Sequence, residues 1–100
     1  MNTAVSKNGI SIRLTDERWA HITDEHCELA GLRLEVLETI ENPIRIFEGS
    51  REEFIAVIEL TKGKFLAVVY KEFQRDGFII TAFITKRIKS LFRRRQVWSN

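Results

Sequence analysis

Between residues 53 and 87 the chain carries three apolar runs parted by two short polar turns, and few folds accommodate that pattern. Residues 53–60 alternate Phe54, Ala56, Ile58 and Leu60 against Glu53, Ile55, Val57 and Glu59, as a strand does when successive side chains point to opposite faces. Thr61, Lys62, Gly63 and Lys64 make a turn with a glycine free to take positive φ. Residues 65–73 are the next strand, and Gln74, Arg75, Asp76 and Gly77 make the second turn. The third run, 77–87, is rich in β-branched and aromatic residues and ends in the cations Lys86 and Arg87. By alternation Phe78, Ile80, Ala82 and Ile84 form its apolar face, which we assign to the core. Ile79, Thr81, Phe83 and Thr85 form the other, so the hydroxyl of Thr81 marks the candidate functional surface.

The residues before this meander read as helical. Residues 1–9 are polar and aperiodic and are expected to be a flexible leader, and residues 10–14 alternate Ile10, Ile12 and Leu14 against Ser11 and Arg13, a short strand. Thr15 then offers an N-cap hydroxyl, with Asp16 and Glu17 in the first turn, where the helix dipole favours negative charge. Trp19, Ile22 and Leu29 share a stripe on this first helix, with His26 in the same stripe if the helix continues that far, and His21 points almost the other way; a break near His26 and Cys27 would free both imidazoles. Gly31 separates it from a second helix over 32–41, buried through Leu32, Val36, Leu37 and Ile40 and stopped by Asn42 and Pro43. After a brief strand at 44–47 and the meander, Ile88, Leu91 and Phe92 have the spacing of one helical turn, and Val97 and Trp98 return an anchor to the body. The expected class is α+β: an N-terminal strand and two helices packed on a mostly antiparallel sheet of about four strands, one domain over residues 10–100.

Composition narrows the function. A chain of 100 residues, 44% hydrophobic, can bury one core without staples. Cys27 is alone and cannot form an internal disulfide, no secretory leader opens the sequence, and no apolar run approaches the roughly 20 residues that cross a bilayer. A cytoplasmic protein is expected. Charge is divided along the chain: residues 1–59 hold six Lys or Arg against twelve Asp or Glu, and residues 60–100 hold ten against two, so the halves carry −6 and +8. Lys86, Arg87, Lys89, Arg93, Arg94 and Arg95 follow the last acid, Asp76. Such a segment attracts phosphate or an acidic protein surface, although a basic tail can also serve solubility alone.

Several chemistries lack their residues. His21 and His26 are five apart and off a common helical face, and Asp24, Glu25 and Cys27 add no metal-site spacing, so no metal is expected. The five glycines are scattered and form no phosphate-cradling loop, so no nucleotide cofactor is expected either. RNA cleavage needs less. Its 2′-hydroxyl lies beside the phosphate, and a protein need only move two protons and stabilise charge on the phosphorane. His21 and His26 are the residue type for proton transfer near neutral pH, Lys71, Arg87 and Lys86 are cations, and Thr81 and Tyr70 are donors. Each has a plainer role: core histidine, strand threonine, edge-shielding lysine.

Three local patterns carry a resemblance. Trp19, Ala20, His21, Ile22 and His26, followed by Glu28 and Leu29, form a tryptophan and histidine helix; Asn42 and Pro43 end a helix before an extended piece; and residues 77–87, with Gly77, Thr81, Ala82, Phe83, Thr85 and Arg87, close on Val97 and Trp98. Together they resemble the phage-type nucleases of the barnase, EndoU, colicin and RelE superfamily, small α+β domains with helices against a four-stranded antiparallel sheet. The resemblance spans roughly residues 10–98. It implies a metal-independent ribonuclease, the toxin of a toxin-antitoxin pair, with His21, His26, Lys71, Thr81 and Arg87 as catalytic residues converging in one cleft. RNA and an acidic antitoxin would be its partners. Lys86, Lys89, Arg93, Arg94 and Arg95 would contact RNA, the arginine run having no counterpart in the family pattern.

The alternative is a non-catalytic RNA- or protein-binding module of the same fold. A base-stacking platform on the sheet is poorly served on this reading, because Phe83 is the lone aromatic on the open face of the third run. A structural subunit would instead pack Phe92 and Trp98 against another chain.

Overall fold

The meander is present in the computed structural model, which describes residues 2–100, and it forms the middle of a wider sheet than the sequence predicts. Seven strands make one curled mixed sheet. They are β1 (Thr3–Val5), β2 (Ser11–Arg13), β3 (Arg45–Glu48), β4 (Phe54–Thr61), β5 (Lys64–Glu72), β6 (Asp76–Thr85) and β7 (Gln96–Ser99), in the order β1-β2-β6-β5-β4-β3-β7. Every neighbouring pair is antiparallel except β2 with β6. The expected four strands are thus too few. Residues 3–5, expected to be a flexible leader, are a strand on β2, and Ala4 is buried in the core.

The helical layer follows its end signals. Thr15 caps α1 (Asp16–Glu25), its side chain accepting a bond from the Arg18 N–H at 3.1 Å. The helix breaks at His26, a 3-10 turn covers Cys27–Leu29, and Gly31 takes φ +83 before α2 (Arg33–Glu41). Asn42 and Pro43 end α2 as expected. Ile22, Leu29, Val36, Leu37 and Ile40 pack on Ile12, Ala56, Leu66, Val68, Tyr70, Ile79 and Ala82. This is the larger of two apolar clusters, one on each face of the sheet. The curl brings Lys7, just beyond β1, over the ring of Trp98 in β7 at 5.3 Å.

The second cluster occupies the other face. Phe47, Ile55, Val57 and Ala67 are closed over by Leu91, which a 3-10 segment, Ile88–Arg93, folds back onto the sheet. The tilted pair of Phe92 with Phe47, 6.0 Å between centroids, fixes the same segment from its outer side. Among the described residues no helix is long and apolar enough to cross a membrane.

Strand β6 departs from simple alternation. Val69 pairs with Thr81 and Tyr70 with Ile79, so Ile80 is the extra residue of a β-bulge. The bulge reverses the faces before it. Ile79, expected on the open face, is buried against the helices with Ala82, whereas Phe78, expected in the core, pairs with Lys71 on the Thr81 face. Gly77 is also placed by packing rather than by turn geometry: a Cβ there would lie 2.3 Å from the Lys71 carbonyl oxygen and 2.7 Å from Ile12 Cδ1.

Candidate functional site

The sheet divides the residues singled out above. Thr81 and Lys71 lie on the face of the second cluster, opposite Val69 and Phe78 respectively. His21 belongs to α1, which packs on the other face through Ile22. Its side chain is exposed, and Nε2 lies 2.8 Å from the Glu25 carboxylate one turn on. His26 is half-buried at the helix break, with Nδ1 3.8 Å from Glu28. Each histidine therefore faces a glutamate of its own segment. Neither is joined to Lys71, Thr81 or Arg87 by any hydrogen bond or ion pair among the described residues. The expected convergence of these five residues in one cleft is not found, because a helix packed by Ile22 holds His21 in the helical layer while Thr81 faces the far side of the sheet.

Arg87 sits elsewhere again, at the exit of β6. There the Thr85 hydroxyl accepts the Arg87 N–H at 2.9 Å, and the chain turns into the 3-10 segment. The turn places Lys86, Arg87, Lys89 and Arg93 around a depression of about 670 Å³, completed by Gly63, Phe65, Ile88 and Ser90. Among the described residues no acidic side chain lines it. Glu59, in the adjoining hairpin, directs its carboxylate to the Gly63 N–H at 3.0 Å. Among the described residues none of the four cations is in a salt bridge.

The arginine run is split by the start of β7. Arg93 joins the depression, but Arg95 reaches Glu48 at 3.6 Å, and Arg94 lies close enough to Glu53 to act on its carboxyl. Arg94 and Arg95 thus turn to the opposite end of the central strands, where Glu48, Glu52, Glu53 and Glu72 with Phe54 and Phe73 line a second depression of about 540 Å³. The Glu53 carboxyl is held below its ordinary value chiefly by the Arg51 backbone N–H, against the opposing effect of burial, with the charges of Arg94 and Lys71 adding to the lowering. Among the described residues no three His, Cys, Asp or Glu side chains are grouped to hold a metal ion.

One group escaped the sequence reading. Phe73, half exposed at the end of β5, stacks on Phe78 at 5.7 Å and 27°, with Lys71 Nζ 5.9 Å from the Phe73 centroid. The bulge at Ile80 creates this pair, and nothing in an unbroken apolar run marks where a bulge falls. No family model, curated protein or solved structure matches the chain significantly.

Proposed function

We propose that this protein is an RNA-binding module that holds the phosphate backbone at the basic end of its sheet. The observation that carries the reading is the depression of Lys86, Arg87, Lys89 and Arg93, whose charges have no acidic partner among the described residues. Cations gathered on one surface release the counterions condensed on RNA when they neutralise its phosphates, which makes binding strong at low salt and steeply salt-dependent. Phe65 in the floor of the depression adds a surface for a base or a sugar. The ribonuclease reading required the two histidines, Lys71, Thr81 and Arg87 in one cleft, and their separation favours binding without turnover. An acidic antitoxin would have to occupy the same cations as RNA, so the two partners would exclude each other.

The test is a titration of labelled mixed-sequence RNA, in chelator, at several salt concentrations, followed by analysis of the RNA ends. Intact RNA bound with a steep negative salt slope that flattens in Lys89→Ala with Arg93→Ala supports the module. Cleavage to 2′,3′-cyclic phosphate ends that disappears in His21→Ala with His26→Ala would restore the nuclease reading, and salt-independent or absent binding would end both.

A further inference from the structure

The face of β6 that carries Thr81 is not a bare surface beside the basic depression; it continues from it. From Thr85 the same face presents Phe83, Thr81 and, beyond the bulge, Phe78, with Phe65, Val69 and Lys71 alongside on β5. The 3-10 segment covers Phe47, Val57 and Ala67 but leaves Thr81, Phe83 and Phe78 only half-buried, so it forms one wall of a strip running along β6. Strand β2 covers β6 only at Asp76, Gly77 and Phe78, which leaves the other side of the strip open. The far end holds the stacked Phe73 and Phe78 with Lys71 against Phe73 and Arg13 opposite Phe78.

We infer that this strip binds single-stranded nucleic acid, with phosphates anchored at the Lys86, Arg87, Lys89 and Arg93 depression and bases stacked toward the Phe73 and Phe78 pair. The inference rests on the RNA-binding reading above and specifies the strand form and path. Three features favour a single strand over a duplex. Aromatic rings offer faces that bases can use only when unstacked from each other. The strip follows a single strand, β6, because the 3-10 segment closes over Val57 of β4 and Ala67 of β5 beside it. Its cations are concentrated at one end, which suits a chain laid lengthwise, whereas a duplex spreads its phosphates on both sides of a groove. The seven steps between Thr85 and Phe78 at roughly 3.3 Å each span about 23 Å, room for about four nucleotides, the lower end of the site sizes of small single-strand modules. The far end adjoins the acidic depression. Asp76 is held by Arg13 at 3.3 Å, Glu72 by Ser6 and Asn8 on the opposite side of the sheet, Glu53 by the Arg51 N–H and Glu48 by Arg95 at 3.6 Å, which leaves Glu52 as the one carboxylate there without a partner among the described residues.

A length series of single-stranded oligonucleotides from two to ten residues, with a matched duplex and a 2-aminopurine placed at each position of a four-residue probe, tests the path. Affinity should rise to about four residues and then level, the duplex should bind weakly, and one 2-aminopurine position should be quenched on binding. Phe73→Ala, at a half-exposed position, should weaken the four-residue probe roughly tenfold and abolish that quenching, whereas Phe73→Tyr should restore both. Equal affinity for duplex and single strand, or full affinity in Phe73→Ala with unchanged quenching, would overturn the strip and leave the basic-end reading standing. Loss of all binding in Lys89→Ala with Arg93→Ala, while Phe73→Ala only shortens the preferred probe, would support both. If Phe73→Ala leaves RNA binding intact but removes self-association of the wild type, the aromatic pair is a protein contact and the inference fails.

Discussion

The two ends of the central strands are built alike and hold opposite charge in different ways. At one end a hairpin and the exit of β6 gather Lys86, Arg87, Lys89 and Arg93; at the other, two connections gather Glu48, Glu52, Glu53 and Glu72. Three of these carboxylates are engaged by the protein itself. Glu72 accepts from Ser6 and Asn8, Glu53 accepts from the Arg51 N–H, and Glu48 faces Arg95. The cations have no such partners among the described residues. A charge held by its own chain is part of the structure, and a charge left to solvent is free for another molecule. The comparison predicts that the basic end matters for binding and the acidic end for stability.

Replacing Lys86, Arg87, Lys89 and Arg93 together by alanine is the sharpest way to break that prediction. RNA affinity at low salt should fall by about two orders of magnitude or more, and the logarithmic salt slope should shrink by roughly 3, while the melting temperature stays close to that of the wild type. A large loss of stability instead would mean that these cations hold the fold. Leu91→Ala should cost about 2–4 kcal/mol in denaturant unfolding, because it uncovers Phe47, Val57 and Ala67. It should also weaken RNA binding, since the same segment carries the cations.

At the acidic end, Glu72→Ala should destabilise by about 1–3 kcal/mol, leaving the buried Ser6 hydroxyl without its acceptor, with RNA affinity unchanged. Glu53 gives the pH dependence. Its folded-state carboxyl titrates below its ordinary value of 4.5, so it contributes stability above that pH, and the contribution is lost as pH falls through the lowered value. Melting curves of Glu53→Gln should therefore lose less stability than the wild type between about pH 4.5 and lower pH. The smallest effect expected is a gain: Glu52 holds φ +67, where a side chain is strained, and Glu52→Gly should stabilise by roughly 0.5–1 kcal/mol.

Much of the architecture was legible wherever a residue has one physical use. Thr15 followed by Asp16 and Glu17 could only start a helix, Pro43 could only end one, and Gly63 does take the positive φ that its turn requires. Residues 3–5 were illegible because a three-residue strand that buries only Ala4 has no periodicity to read; its identity lies in pairing with β2. The bulge was hidden for a different reason. Every residue from Phe78 to Ile80 is apolar, so either register satisfies the pattern, and only the fit against Tyr70 and Lys71 decides. That one residue changed the candidate site most, by bringing Phe78 to Lys71 and Phe73. The arginine run failed as a unit because the chain crosses the sheet there: Arg93 closes the 3-10 segment beside the basic depression, whereas Arg95, at the entry to β7, reaches Glu48 at the other end.

The order in which the chain is made bears on the segment that closes the second face. Ribosomal synthesis delivers the helical layer first, with its apolar stripe facing a sheet that does not yet exist, and the parallel pairing of residues 11–13 with 76–78 must wait for a long loop to close. The two hairpins of the meander are local and can form as soon as they emerge. A nascent chain that has reached Arg87 still leaves Phe47, Val57 and Ala67 wet, because Leu91 has not arrived. The residues that complete the core are interleaved with cations that have no acidic partner among the described residues, so a chain that stops at Arg87 has neither the cover of its second face nor its full basic surface, and both arrive with the same few residues.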